Sequence, residues 1–153
     1  MKILIVSDTH RDDQVLKDLY RDYPKCDLYL HAGDSCSDMY NIYPFDSVQG
    51  NCDYFPFDEK RFVRTSAGNI LMRHHPFLRP DEREQIRIFI HGHTHIYKVE
   101  DKDGLLTINP GSLTRPRDKS HGSFAILDIE DNAICVDVID VFTKSILIHY
   151  QIM

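Results

Sequence analysis

The sequence predicts an α/β chain built on two β-sheets, and three observations carry that prediction. Lys2 to Val6 is an apolar run of the kind buried on both faces of a sheet, and helical spacing follows it directly. Strand-like and helix-like segments alternate over the first third, a βαβαβ order. The second half holds strand-like runs separated by turn residues, the signature of hairpins able to form a second sheet packed on the first. With 153 residues, 42% of them hydrophobic, the chain can bury a sizeable core, and a single domain over 1–153 is expected.

Taken in order, the strand at Lys2–Val6 is followed by Val15, Leu16, Leu19 and Tyr20, which share one helical face. Asp27 to Leu30 reads as a second strand, Cys36 to Tyr43 as a helix, and Asp46 to Gln49 as a short third strand. Arg61–Thr65 and Asn69–Arg73 flank Ser66-Ala67-Gly68, a turn composition, and predict a hairpin. Asp81 to Gln85 has room for one or two helical turns before the apolar run Ile86–Ile90. Two further hairpins are expected, Ile96–Glu100 with Leu105–Ile108 and Gly122–Asp128 with Ala133–Asp140. A final strand is expected over Ser145–Tyr150.

Composition excludes several classes of function. No stretch approaches the ~18 apolar residues of a membrane helix. Only four consecutive apolar residues precede Ser7 and Asp8, too few for a secretory signal, so a cytoplasmic protein is expected. Cys26, Cys36, Cys52 and Cys135 form no C-x-x-C pair, which argues against a zinc knuckle or a dithiol motif. A net charge of -6 argues against an extended nucleic-acid groove. Partners are therefore expected to be small, and a homo-oligomer is left open.

Chemistry-bearing residues gather at the ends of the expected strands. His91-Gly92-His93-Thr94-His95 follows Ile86–Ile90, which delivers several imidazoles to one rim, and imidazole is the commonest ligand for divalent transition metals. Asp8 and His10 follow the first strand one residue apart, so extended backbone would aim both at one ion, although an Asp here also serves as a helix cap. Asp34 ends the second strand in a Gly-Asp turn, and its two carboxylate oxygens suit a bridge between two ions. Gly50-Asn51-Cys52-Asp53 ends the third strand, with Asn51 a neutral oxygen ligand and Asp53 an acceptor that steadies the ligand loops. His74 closes a hairpin strand. Asp8 also resembles the nucleophile of haloacid dehalogenase-type phosphatases, but that chemistry wants a second Asp where His10 stands.

In order, D-x-H, G-D, G-N-C-D, a strand-ending His and G-H-T-H resemble the calcineurin-like metallophosphoesterase superfamily, specifically its small YfcE-type phosphodiesterase branch. Asn109-Pro110-Gly111-Ser112 with Pro116-Arg117 extends the match. The resemblance implies a four-layer αββα sandwich of two mixed sheets flanked by helices. It implies that Asp8, His10 and His95 hold one metal, that Asn51, His74 and His93 hold a second, and that Asp34 is shared, with Asp34, Asn51 and His74 in the catalytic machinery.

Two departures mark this chain. His74-His75-Pro76 stands where the family has His-Gly-His, so His75 competes with His74 as ligand, and Phe77–Gln85 is shorter than the usual helix. Cys52 occupies the place of a histidine in larger relatives, leaving the leaving-group acid open between Cys52, His75 and His121. Arg115 and Arg117 are candidate phosphate clamps.

The expected reaction is hydrolysis of a small phosphodiester or nucleotide-like substrate by a hydroxide held between two divalent ions. Manganese is the favoured ion, and Ni, Zn, Fe and Co suit the same ligands. The alternatives are a phosphomonoesterase, or a non-catalytic scaffold like the retromer subunit of the same fold.

Overall fold

The apolar run at the start of the chain becomes β1 (Lys2–Val6), with Ile3 to Val6 fully buried. A computed structural model describes residues 1–153 and orders the chain as β1, α1 (Asp13–Asp22), β2 (Leu28–His31), β3 (Asp46–Ser47), β4 (Lys60–Val63), β5 (Ile70–Arg73) and α2 (Pro80–Arg83). The remainder is β6 (Ile88–Ile90), β7 (Lys98–Lys102), β8 (Leu105–Asn109), β9 (Ser123–Glu130), β10 (Ala133–Asp140) and β11 (Ile146–Ile152). One sheet has the strand order β11-β10-β9-β1-β2-β3 and the other β4-β5-β6-β8-β7. Both are mixed: β1, β2 and β3 run parallel, as do β5, β6 and β8, with antiparallel neighbours beside them.

Period-two alternation decides which side chains meet between the sheets. Ile3 and Ile5 of β1, Ile134, Val136 and Val138 of β10, and Ile70 and Met72 of β5 join the apolar layer between them. Leu4 and Val6 point the other way and pack with Leu16 and Leu19 of α1 and Phe124 of β9. Asp12 caps α1 by accepting from the Val15 N–H at 3.4 Å. Burying Leu16 and Leu19 contributes about 2 kcal/mol each, which holds a ten-residue helix that would not persist alone. Beyond the second sheet, Leu71, Ile86 and Phe89 form a small cluster with Leu78 against them. The four layers are thus present, each outer one reduced to a single helix, α1 or the one-turn α2.

Three expectations are corrected. Cys36–Tyr43 is not a helix: Cys36 has φ 57°, the Asp38 carboxylate takes the N–H groups of Tyr40 and Asn41, and Pro44 disfavours helical backbone at Tyr43. Its apolar spacing is met by burying Ile42 in a turn. The third strand is only Asp46–Ser47, because Gln49 turns away and donates its N–H to Asp58. The late strands do not all enter the second sheet: β9 pairs antiparallel with β1, carrying β10 and β11 into the first. Parallel strands β5, β6 and β8 also make the second sheet less antiparallel than expected.

This topology places a set of loops together. β1, β2, β3, β5 and β6 all end near one rim, and ligands gather at the carboxyl ends of parallel strands.

Candidate metal centre

Asp8 and His10 follow β1, Asp34 follows β2, Asn51 follows β3, His74 follows β5, and His93 and His95 follow β6. The structure brings all seven into one cluster. His74 Nε2 lies 3.2 Å from Asp34 Oδ2, 2.9 Å from Asn51 Oδ1 and 3.3 Å from His93 Nδ1. His95 Nε2 lies 3.3 Å from Asp8 Oδ1, and Asp8, His10 and His95 place one donor atom each within 4.8 Å of the others. Asp8, Asp34 and His74 do the same, so Asp8 belongs to both groups.

The means of convergence differs from the one expected. Extended backbone was the reason for aiming Asp8 and His10 at one point, but their φ values are 55° and 45°. Asp34 at 64°, His93 at 72° and His95 at 62° are also left-handed. Five donor residues in a region that L residues rarely occupy represent strain held by the surroundings. Those surroundings are visible. Ser112 Oγ donates to the Asp8 carbonyl at 2.8 Å and Thr114 Oγ1 to the Thr9 carbonyl at 3.0 Å. The Asp53 carboxylate accepts the N–H groups of Asp34 at 2.9 Å, Cys36 at 2.8 Å and Gly50 at 2.7 Å.

Hydrogen bonds outside the cluster orient the imidazoles. His74 Nδ1 donates to the Ala32 carbonyl at 2.7 Å, and His95 Nδ1 to the Arg115 carbonyl at 2.7 Å. In the neutral form each Nε2 then carries only a lone pair. Those lone pairs face carboxylate and amide oxygens, an arrangement that repels unless a positive charge lies between. Two of the buried polar atoms without any partner, Asp8 Oδ1 and His10 Nε2, face the same region. The donor set therefore fits divalent cations: mixed imidazole, carboxylate and amide groups, pre-aimed and short of hydrogens.

Charge follows from burial. Burial pushes the Asp8 carboxyl up despite the Ser7 hydroxyl that donates to it at 2.6 Å. Burial also raises Asp34, but hydrogen bonds from His74 and the Cys52 N–H outweigh it and leave the carboxyl at about 2. His74 is pulled down by burial and up by Asp34 and Asp8, which prevail. The carboxylates thus favour positive charge at the centre of the cluster.

His74 rather than His75 occupies the cluster; His75 is exposed and stacks on His93 with ring centroids 4.5 Å apart. An open pocket of about 430 Å³ is lined by His10, Asp34, Asn51, Cys52, His93, His95, Arg115, Pro116 and Arg117, which places both arginines beside the donors. Burial and the nearby Asp34 raise the Cys52 thiol, so the neighbours keep it protonated. His121 is elsewhere, donating to Asp140 at 3.0 Å and lining a different depression with Val15 and Phe142, which removes it as the acid. His91 is buried and its Nδ1 donates to the Gly92 carbonyl.

Sequence reasoning missed His31. It is fully buried at the end of β2, its Nδ1 accepts the Gly33 N–H at 3.1 Å and its Nε2 therefore donates to Thr9 Oγ1 at 2.9 Å. One neutral imidazole so ties the Asp8–His10 loop to the Gly33–Asp34 turn, and burial lowers its pKa to about 3. The available signal was a lone histidine inside an apolar strand.

The sequence profile of the calcineurin-like phosphoesterase superfamily domain matches residues 1–132. The chain belongs to that superfamily. It is 29% identical to the probable metallophosphoesterase YsnB of Bacillus subtilis, over 92% of this chain and 91% of YsnB. Among solved structures, a conserved Streptococcus pneumoniae protein described as a predicted phosphoesterase superposes with TM-score 0.85 at 23% identity, covering 99% and 96% of the two chains. The phosphoesterase YfcE of Escherichia coli gives 0.76 at 20%, covering 99% and 98%. Vps29 of Cryptosporidium parvum gives 0.75 at 21%, covering 99% and 97%, so the fold also serves a vacuolar protein sorting protein. These lengths agree with the small branch of the superfamily. No helix is long and apolar enough to cross a membrane.

Proposed function

We propose that the chain is a binuclear metal-dependent phosphoesterase, acting on phosphodiesters, with 1–153 as one metallophosphoesterase domain. The observation that carries this reading is the cluster of metal-ligand atoms facing one another, His74 Nε2, Asn51 Oδ1, Asp34 Oδ2 and Asp8 Oδ1, whose oxygens draw positive charge between them. Asp8, His10 and His95 would hold one ion, Asn51, His74 and His93 the other, and Asp34 would span both. Bound divalent ions supply charge neutralisation for a phosphoryl group and a water acidified to near neutrality.

The chain's own residues do the rest. Asp53 and Ser112 hold the ligand loops, and His31 keeps Asp8–His10 and Asp34 in register. Arg115 and Arg117 line the pocket where non-bridging phosphoryl oxygens would lie, and guanidinium groups suit them. The Cys52 thiol, kept protonated by burial and its acidic neighbours, lines the same pocket and would donate to a leaving oxygen.

The protein stripped with EDTA and titrated with Mn²⁺ should hydrolyse a bis-aryl phosphate faster than the mono-aryl ester. Preference for the monoester would make it a phosphomonoesterase. Absence of turnover on either substrate with Mn²⁺, Ni²⁺, Zn²⁺, Fe²⁺ and Co²⁺ would favour the scaffold reading, against which the complete donor set argues.

A further inference from the structure

A second group of metal-ligand side chains lies at the opposite end of the first sheet. Cys135 and Asp137 are two residues apart on β10, so both project from the face turned away from Ile134, Val136 and Val138 in the intersheet core. The register of β11 sets His149 directly across from Asp137, and the register of β9 sets Asp128 directly across from Cys135. One atom each of Cys135, Asp137 and His149 lies within 4.8 Å of the others. Asp128 pairs with Lys2, the first residue of β1, whereas the cluster described above follows the other end of β1. We propose that Cys135, Asp137 and His149, with Asp128 or water in the fourth position, form a tetrahedral site for a thiolate-preferring divalent ion such as Zn²⁺.

Ligand types and spacing support this. A thiolate, an imidazole and a carboxylate are the usual zinc donors, with bonds of ~2.0 to 2.3 Å that put neighbouring donors ~3.3 to 3.8 Å apart. His149 Nδ1 and Asp137 Oδ1 are 2.6 Å apart, and an ion placed between them needs only small side-chain rotations. Cys135 and Asp137 are half-buried and His149 is exposed, so the site is open to the ion without unfolding. Burial, Asp137 and Asp128 hold the thiol protonated, and binding would release that proton to solvent as the thiolate takes the ion. Lys2 stands 4.0 Å from Asp128 and competes only for that fourth position. Bound there, the ion would tie the edge strand β11 to β10, where main-chain pairing is one-sided.

The test is site-resolved alkylation. Peptide mass spectrometry after iodoacetamide treatment should show Cys135 labelling slowed ~10-fold or more by low-micromolar Zn²⁺, because only the free thiolate is the nucleophile. That protection should vanish in His149→Ala, an exposed position whose substitution spares the core. Bound zinc should also fall by one ion per chain in Cys135→Ser. Labelling indifferent to Zn²⁺, protection that survives His149→Ala, or zinc content unchanged in Cys135→Ser each overturns the site. None of these readouts depends on phosphoesterase activity.

Discussion

Gly50→Ala should cut the proposed phosphoesterase activity while leaving the chain folded. A Cβ at Gly50 would stand 2.1 Å from Asp34 Oδ1 and 2.4 Å from the Asp34 nitrogen, where ordinary contact begins at 3.4 Å. One of the two loops must retreat by more than 1 Å. Asp34 is gripped by the Cys52 N–H at 2.8 Å and by Asp53 at 2.9 Å, so the carboxylate and Asn51 shift together. A misplacement of that size costs about 100-fold in rate, or about 2.7 kcal/mol of transition-state stabilisation. Overpacking costs a further ~1 to 3 kcal/mol of stability. The assay is kcat/KM on a bis-aryl phosphate at saturating Mn²⁺, with urea unfolding run in parallel. Gly104→Ala is the control. Gly104 sits at φ 79° in the β7–β8 turn with no atom within 4 Å of an added Cβ, so it should lose ~1 to 2 kcal/mol of stability and no rate. Wild-type kcat/KM in Gly50→Ala, or an equal rate loss in Gly104→Ala, would refute the reasoning.

Other outcomes follow from the same geometry. Asp34→Asn should lower Mn²⁺-dependent turnover by ~10² or more, since it removes charge where two ions would be bridged; unchanged turnover would exclude the shared role. His31→Leu leaves the Gly33 N–H and the Thr9 hydroxyl without their partner and should cut turnover by ~10 to 100-fold, as supports of metal ligands do, with a matching rise in the Mn²⁺ needed for half activity. Glu82→Gln should cost ~3 to 5 kcal/mol in urea unfolding, because it leaves buried Arg73, adjacent to His74, without its bidentate partner at 2.6 and 2.9 Å. The Arg73 guanidinium holds the Glu82 carboxyl well below its ordinary value of 4.5, so its stabilisation is present above that pH and lost as pH falls below it. Wild type should therefore lose stability below pH 4.5 more steeply than Glu82→Gln; parallel profiles would deny the linkage. Cys52→Ala should spare aryl diesters, whose leaving groups need no proton, and slow alkyl diesters at least ~10-fold.

The candidate donors were legible in one dimension because the motifs just past the strands resemble those of the superfamily, and that resemblance implied the full set. Asp8, His10, Asp34, Asn51, His74, His93 and His95 could be named before any distance was known, and the structure gathers them. The paired sheets were legible from the continuous apolar run of β1 and from the turn residues between the later strands. Less could be read where apolar spacing had two solutions: Ile42 reaches the core from a turn as well as it would from the expected helix.

What required three dimensions was everything that depends on contacts distant along the chain. Left-handed backbone at five donors is unfavourable locally and persists because Ser112, Thr114 and Asp53 hold the loops from afar. The choice of His74 over His75 depended on which ring meets the Ala32 carbonyl across the sheets. Membership of β9, β10 and β11 in the first sheet depended on β1 offering β9 an open edge, which hairpin pattern alone does not encode. Residue type specifies which atoms can bind a cation; packing between residues far apart in sequence specifies where those atoms point.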